Sequence, residues 1–339
     1  MPITANTRTT RLSRLALASA TSFAMLISAA CGSDSEDASS GDTSTEAVEG
    51  AVRVAFAYGY GGGGPEGEFI AGLNCYASEN GLPEVTVTYA DADPSKMLSD
   101  FDSLVARAGQ LEGIFALPND PVAAAPAYKA AQDAGIVVID PMTPDADGNY
   151  PTEADSHIAP DDPNLAEQVL TDMAADDSSI KKIAILTTPP GQAMTDAKNA
   201  AFQELGADFG IEVVELLTVE DMSTDGAQQV TEDFLTRNKD IQAIFAHNGA
   251  MARGAALAAK SQGVELKVYA VDSDEETISA VQAGQIFATY GADLFQVAYD
   301  GSKEVESIKK GNKPAPKVIP YTRFDSSNAT YVPVEERCK

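Results

Sequence analysis

The chain has 339 residues and a formal net charge of −28, from 23 basic and 51 acidic side chains, with three cysteines, two histidines and no tryptophan. A surface this acidic repels phosphate backbones and anionic headgroups, which argues against nucleic acid or peripheral membrane docking. Two histidines leave few candidates for imidazole catalysis. No Gly-x-Ser-x-Gly elbow and no metal-ligand spacing occurs, so no cofactor, no metal site and no enzymatic activity is expected.

Residues 1–30 read as an export signal. Arg8, Arg11 and Arg14 make a basic start, and residues 15–30 are apolar and small but too short to span a membrane comfortably. The run ends at Ser28-Ala29-Ala30-Cys31, which resembles the lipobox of bacterial lipoproteins, with Ser28 where that box has Leu, Val or Ile. The resemblance implies lipidation of Cys31 and a protein held on the outer face of the cell membrane through that anchor alone. An ordinary secretory signal cut after Ala30 is the alternative. Loss of the three arginines takes the net charge from −28 to −31. Residues 31–50 are largely Gly, Ser, Thr, Asp and Glu, too polar to offset the entropy of ordering, and read as a disordered tether. Cys75 and Cys338 would lie in an oxidising compartment, where a bridge from the C-terminal tail to an early helix competes with two separate thiols.

About 290 residues follow the tether, enough for two lobes with separate cores. Short apolar runs at 52–57, 85–89, 113–117 and 136–139 alternate with helical stretches such as 94–110. A second series follows at 182–186, 212–217, 243–246 and 267–271, with a helix at 196–209 among them. Apolar strands alternating with amphipathic helices predict α/β architecture with parallel sheets covered on both faces. The pattern runs twice, so two doubly wound lobes are expected. A strand at 286–290, a helix at 295–309 and a strand at 317–324 return to those lobes. That gives crossings near Ala159, Gly291 and Pro316, a first lobe of 51–159 plus 292–316, and a second of 160–291 plus 317–339.

Several ordered stretches carry a family resemblance. They are Asp91-Ala92-Asp93-Pro94 with Phe101-Asp102-Ser103-Leu104, the run 111–118 ending in Pro118, the run 130–138, His157-Ile158-Ala159 with Asp161-Asp162, and the run 241–252 continuing into Gly254-Ala255, Val271-Asp272 and 284–289. Together they resemble a type I periplasmic binding protein of the ribose-binding, sugar-transport class. The resemblance covers about residues 51–324 and implies three hinge crossings between the lobes.

Ligands of open α/β sheets sit beyond the carboxyl ends of the strands, so strand-end residues are the candidates. These include Tyr58, Tyr60 and Glu66 on the first loop, Asp140, Met222, Asn248, Asp272 and Asp293. The resemblance implies ligand contact at Asn248 and Asp272, which match the family's Asn and carboxylate. Lys198 replaces the family's Arg, Met222 its Phe, and Met142 and Thr143 its Asp-Arg pair, for which Asp140 is an alternative. Glu66 and Gly67 replace two aromatics, and Ala292, with Asp293 beside it, replaces the hinge Gln. With several carboxylates and no arginine among these positions, the site suits a neutral polyhydroxy or a cationic solute rather than an anion.

The expectation is a monomeric solute-binding lipoprotein of an ABC importer, closing on a sugar or polyol and presenting it to a permease. A sensor feeding a membrane signalling receptor, or an exported hydrolase on the same frame, are the alternatives.

Overall fold

A computed structural model describes residues 47–62, 65–143, 149–190 and 193–338. The signal, Cys31 and most of the tether lie outside the described residues. None of the described helices is long and apolar enough to cross a membrane.

The first half of the chain runs β1 (Val54–Tyr58), α1 (Glu66–Glu79), β2 (Thr86–Tyr89), α2 (Pro94–Val105), β3 (Gly113–Leu117), α3 (Pro121–Asp133), β4 (Val137–Asp140) and β5 (Ser156–Pro160). The second half runs α4 (Asp162–Asp176), β6 (Lys182–Thr187), α5 (Ala193–Leu205), β7 (Glu212–Thr218), α6 (Thr224–Arg237), β8 (Ala243–Ala246), α7 (Gly249–Gln262), β9 (Lys267–Val271), α8 (Glu275–Gln282) and β10 (Ala288–Gly291). The last part is α9 (Leu294–Lys309), β11 (Lys317–Ile319), β12 (Thr322–Asp325) and α10 (Val334–Arg337).

Two six-stranded sheets result, ordered β11-β5-β4-β3-β1-β2 and β12-β10-β9-β8-β6-β7. All pairings are parallel except β10 with β12. The fold is therefore two α/β lobes, each a twisted sheet with helices on both faces. Strands β1, β4, β8 and β10 are buried at every position, as sheets covered on both sides require. In the first lobe one face packs Phe101, Leu104 and Tyr128 from α2 and α3, and the other packs Phe69, Leu73 and Val305 from α1 and α9. In the second lobe Phe234, Met251 and Val281 cover one face, and Leu165, Val169 and Phe202 the other.

Three differences from the sequence reading concern the crossings. Strand β5, Ser156–Pro160, carries only one β-branched residue and was not expected as a strand, yet it is wholly buried and paired with β4 and β11. Residues 317–324 are not one strand. They form β11 in the first sheet and β12 in the second, separated by Pro320, which has no N–H to give a ladder. The third crossing therefore falls at Pro320–Tyr321 rather than near Pro316. The tail after 317 is also not wholly second-lobe, because Cys338 is bonded to Cys75 in α1, with Cα atoms 5.4 Å apart.

Helices α1 and α9 meet at a glycine. A Cβ on Gly72 would sit 2.1 Å from the carbonyl oxygen of Phe295. Alanine in a helix interior ordinarily gains about 0.5–1 kcal/mol over glycine, but here the collision is with backbone, which cannot rotate away. Gly72→Ala should destabilise the protein by about 1–3 kcal/mol in urea unfolding. An unchanged or raised midpoint would contradict the close approach of α1 and α9.

Candidate functional site

The two sheets share one winding, β2-β1-β3-β4-β5 in the first and β7-β6-β8-β9-β10 in the second. Their switch points lie between β1 and β3 and between β6 and β8, so the crevice beyond those carboxyl ends is the place for a ligand. The residues that end the strands there also begin the helices. Asn248, Asp274 and Asp293 each accept a helix-start N–H through the side chain. Capping and site chemistry thus draw on the same positions.

On the first-lobe side, Tyr58 ends β1 in a buried position, its ring centroid 5.6 Å from Tyr60 and 6.1 Å from Tyr89. Burial, with the charge of Glu66 adding to it, raises the Tyr58 phenol far above its ordinary range, so it remains a neutral donor. Tyr60 keeps 42% of its surface exposed. Glu66 opens α1 and is buried. Asp140 is fully buried, and its oxygens are occupied. The Met142 N–H lies 3.1 Å away, His157 Nδ1 2.6 Å away, and the Thr152 hydroxyl donates to the second oxygen. The Tyr150 ring stacks on His157 at 3.7 Å. This cluster ties the end of β4 to β5 and leaves Met142 buried beside it.

On the second-lobe side, Asp272 follows β9 with φ of 106°, a conformation that non-glycine residues adopt only under constraint. The Gly249 N–H donates to its carboxylate at 2.9 Å, and the Thr289 hydroxyl to its backbone carbonyl at 2.6 Å. Burial pushes the Asp272 carboxyl up to about 7. The Gly249 N–H opposes that, Asp274 adds to it, Lys198 opposes it and Glu68 adds a little more. Asn248 accepts from the Met251 N–H at 2.7 Å and donates to the Met222 carbonyl at 3.4 Å. Met222 is 40% exposed and has φ of 51°. His247 Nε2 lies 2.8 Å from Asn199 Oδ1, and the Asn199 amide donates to Thr187 Oγ1 at 2.8 Å. Burial, helped by the charge of Lys198, drops the imidazole to about 3 and keeps it neutral.

Two residues of this region are not apparent from the sequence, Asp162 and Arg337. Lys198 is paired with Asp162 at the first crossing, Nζ to Oδ1 2.8 Å. The same carboxylate accepts the Tyr321 hydroxyl of the third crossing at 2.6 Å. The other oxygen, Oδ2, is buried with no donor among the described residues. Asp162 was legible only as part of a hinge motif. The second is Arg337. Its guanidinium pairs with Glu68 at 3.0 Å and with Asp293 at 3.2 Å, so an arginine does reach a candidate position. Only its neighbour Cys338 hinted at this. Glu68 is itself raised, by burial, with Arg337 opposing and Asp293 and Asp274 adding. A separate concavity of about 610 Å³, lined by Ile241, Leu257, Lys260, Lys267 and Gln285, lies at the amino ends of β8 and β9, away from this crevice.

A family model described as a periplasmic binding protein domain matches residues 55–313. The chain belongs to that family. The ribose import binding protein RbsB of Bacillus subtilis is 26% identical over 242 residues, covering 71% of this chain and 76% of that protein. Two solved structures share the fold. A periplasmic ribose ABC transporter protein from Conexibacter woesei aligns with a TM-score of 0.70 and 22% identity, over 83% of this chain and 94% of that one. An ABC transporter solute binding protein from Bacillus halodurans with bound myo-inositol aligns with a TM-score of 0.70 and 19% identity, over 85% and 98%.

In this periplasmic binding protein the Asp272 carboxyl has a consequence for stability. Unfolded, it titrates near its ordinary 3.8; folded, at about 7. Between those values the native state holds the proton more often than the unfolded state, so stability falls as pH rises through that window. Asp272→Asn removes this penalty while keeping an oxygen for Gly249. The melting temperature of the variant minus that of the wild type should grow from pH 4 to pH 8. A difference independent of pH would contradict the assignment.

Proposed function

We propose that the chain is the extracytoplasmic solute-binding lipoprotein of an ABC importer, taking a neutral polyhydroxy solute, a sugar or polyol, by closure of the lobes. The observation that carries this reading is the pairing state of the cleft. Lys198 is neutralised by Asp162, and Arg337 by Glu68 and Asp293. The acidic and amide groups Asp272 and Asn248 stand at the ends of adjacent strands. Among the described residues an anion would meet no unpaired cation there, whereas hydroxyl groups would meet both acceptors and donors. Tyr60, which is exposed, supplies a ring to the apolar side of a sugar. Relatives named for ribose import and a fold neighbour holding myo-inositol support the same ligand class.

Ligand contacts in this reading fall to Tyr58, Tyr60, Glu66, Lys198, Met222, Asn248, Asp272 and Asp293, with Asp140 and Met142 supporting from behind. The protein acts as a monomer, is held to the membrane through lipidated Cys31, and hands its closed form to a permease.

A thermal-shift screen over D-ribose, L-arabinose, D-allose, myo-inositol, simple anions and small organic cations tests the ligand class. One neutral polyhydroxy compound should raise the melting temperature by several degrees. Asp272→Ala should then weaken its binding about 10- to 100-fold, as expected for loss of a buried hydrogen-bonding partner. No response to any carbohydrate or polyol, with a response to an anion or cation, would overturn the reading. Separately, Cys31→Ser should move the protein from the membrane fraction to the medium or periplasm. Unchanged membrane retention would remove the anchor from the account.

A further inference from the structure

The C-terminal segment begins on one lobe and ends on the other. Strand β12 lies in the second sheet, and the turn after it is held there. The Ser327 N–H donates to Asp325 at 2.9 Å, the Ala329 N–H to the Asp325 carbonyl at 2.8 Å, and the Gln282 amide of α8 to the Ala329 carbonyl at 3.0 Å. Ala329 packs against the second-lobe core. Nine residues later Cys338 is bonded to Cys75 of α1, in the first lobe. Between these ends, the Tyr331 phenol is raised by burial and by charges from both sides, Glu275 of α8 and Glu68 of α1. The chain thus passes from lobe to lobe a fourth time.

What fastens the far end is mainly the disulfide. The single-turn α10 is too short to be stable by itself. Arg337 pairs with Glu68 and Asp293 and lies 5.4 Å over the Phe295 ring, but these are partly exposed contacts of small individual weight. Asp293 sits directly after the second crossing, where it caps α9. The guanidinium therefore grips a residue that the hinge must carry as the lobes turn. Four of the intervening residues are helical, so the path from Ala329 to Cys338 reaches roughly 25 Å at full stretch.

We propose that residues 329–338 form a covalent strap that restricts how far the unliganded lobes open. Closed by Cys75–Cys338, it uses Arg337 to position Glu68 and Asp293 at the edge of the cleft. By holding the lobes near their binding geometry it raises the share of molecules ready to bind, and so the apparent affinity. The proposal needs hinged lobes but not a sugar ligand, so its test is made without ligand.

Nitroxide labels carried on non-canonical residues at Val122 of α3 and Leu257 of α7, both exposed, report the distance between lobes by pulsed electron resonance. The comparison is the oxidised protein against the Cys75→Ser/Cys338→Ser variant. A chain ending at Thr330 and carrying Cys75→Ser serves as a second variant should the first fold poorly. Loss of the bridge should broaden the distance distribution and shift it. The truncated chain should show the same change, and reduction of the wild type should reproduce it. Superimposable distributions would overturn the proposal, even with a lower melting temperature, because the disulfide would then be a stability staple only.

Discussion

Asp162 is the point at which the two-lobed arrangement is tied together. Its carboxylate lies on the first crossing, takes the Tyr321 hydroxyl from the third, and holds the Lys198 ammonium from α5. A buried ion pair of this kind is weak evidence for net stability, because desolvation offsets much of the Coulomb attraction. Its value is geometric. Tyr321, raised far above its ordinary range by burial and by the Asp162 charge, stays a donor, so two crossings remain joined while each lobe stays rigid. The first and third crossings are thereby joined at one point about which the lobes can turn, and everything proposed about the cleft depends on that junction.

The same residue explains why the cleft differs from a site for anions. Lys198 occupies the place where the family resemblance leads one to look for a guanidinium, and a lysine is a point charge rather than a fork. With Asp162 against it, that charge is already answered. Arg337 is answered twice, by Glu68 and Asp293. The Asp272 carboxyl, pushed up to about 7 by burial, changes charge near neutrality. A solute that offers hydroxyl groups is compatible with either state of it. One that brings a negative charge is not.

Much of the fold was legible because its causes are local. Runs such as Ala243-Ile244-Phe245-Ala246 and Val137-Val138-Ile139 are too short for helices and read as buried strands, and their alternation with helices predicts a doubly wound sheet. Strand β5 was hidden because Ser156-His157-Ile158-Ala159-Pro160 owes its strand character to burial between β4 and β11, not to its own composition. The split at Pro320 was hidden because the two halves of 317–324 are each short, and only the sheet each joins tells them apart. For the cleft, strand ends could be read, and so Asn248, Asp272 and Tyr58 could be named. What each side chain does could not. Asn248 is a helix cap as well as a candidate contact, Asp140 is enclosed by His157 and Thr152, and Arg337 reaches Asp293 only through a tail that folds back. Those facts are tertiary, set by residues distant in sequence.

The central claim is that two rigid lobes close over a polyhydroxy solute. Small-angle X-ray scattering of the full mature protein, alone and with saturating D-ribose, L-arabinose, D-allose or myo-inositol, tests it most directly. The account predicts that at least one of these compounds lowers the radius of gyration along the same saturation curve as its binding. Saturable binding with no compaction would contradict it.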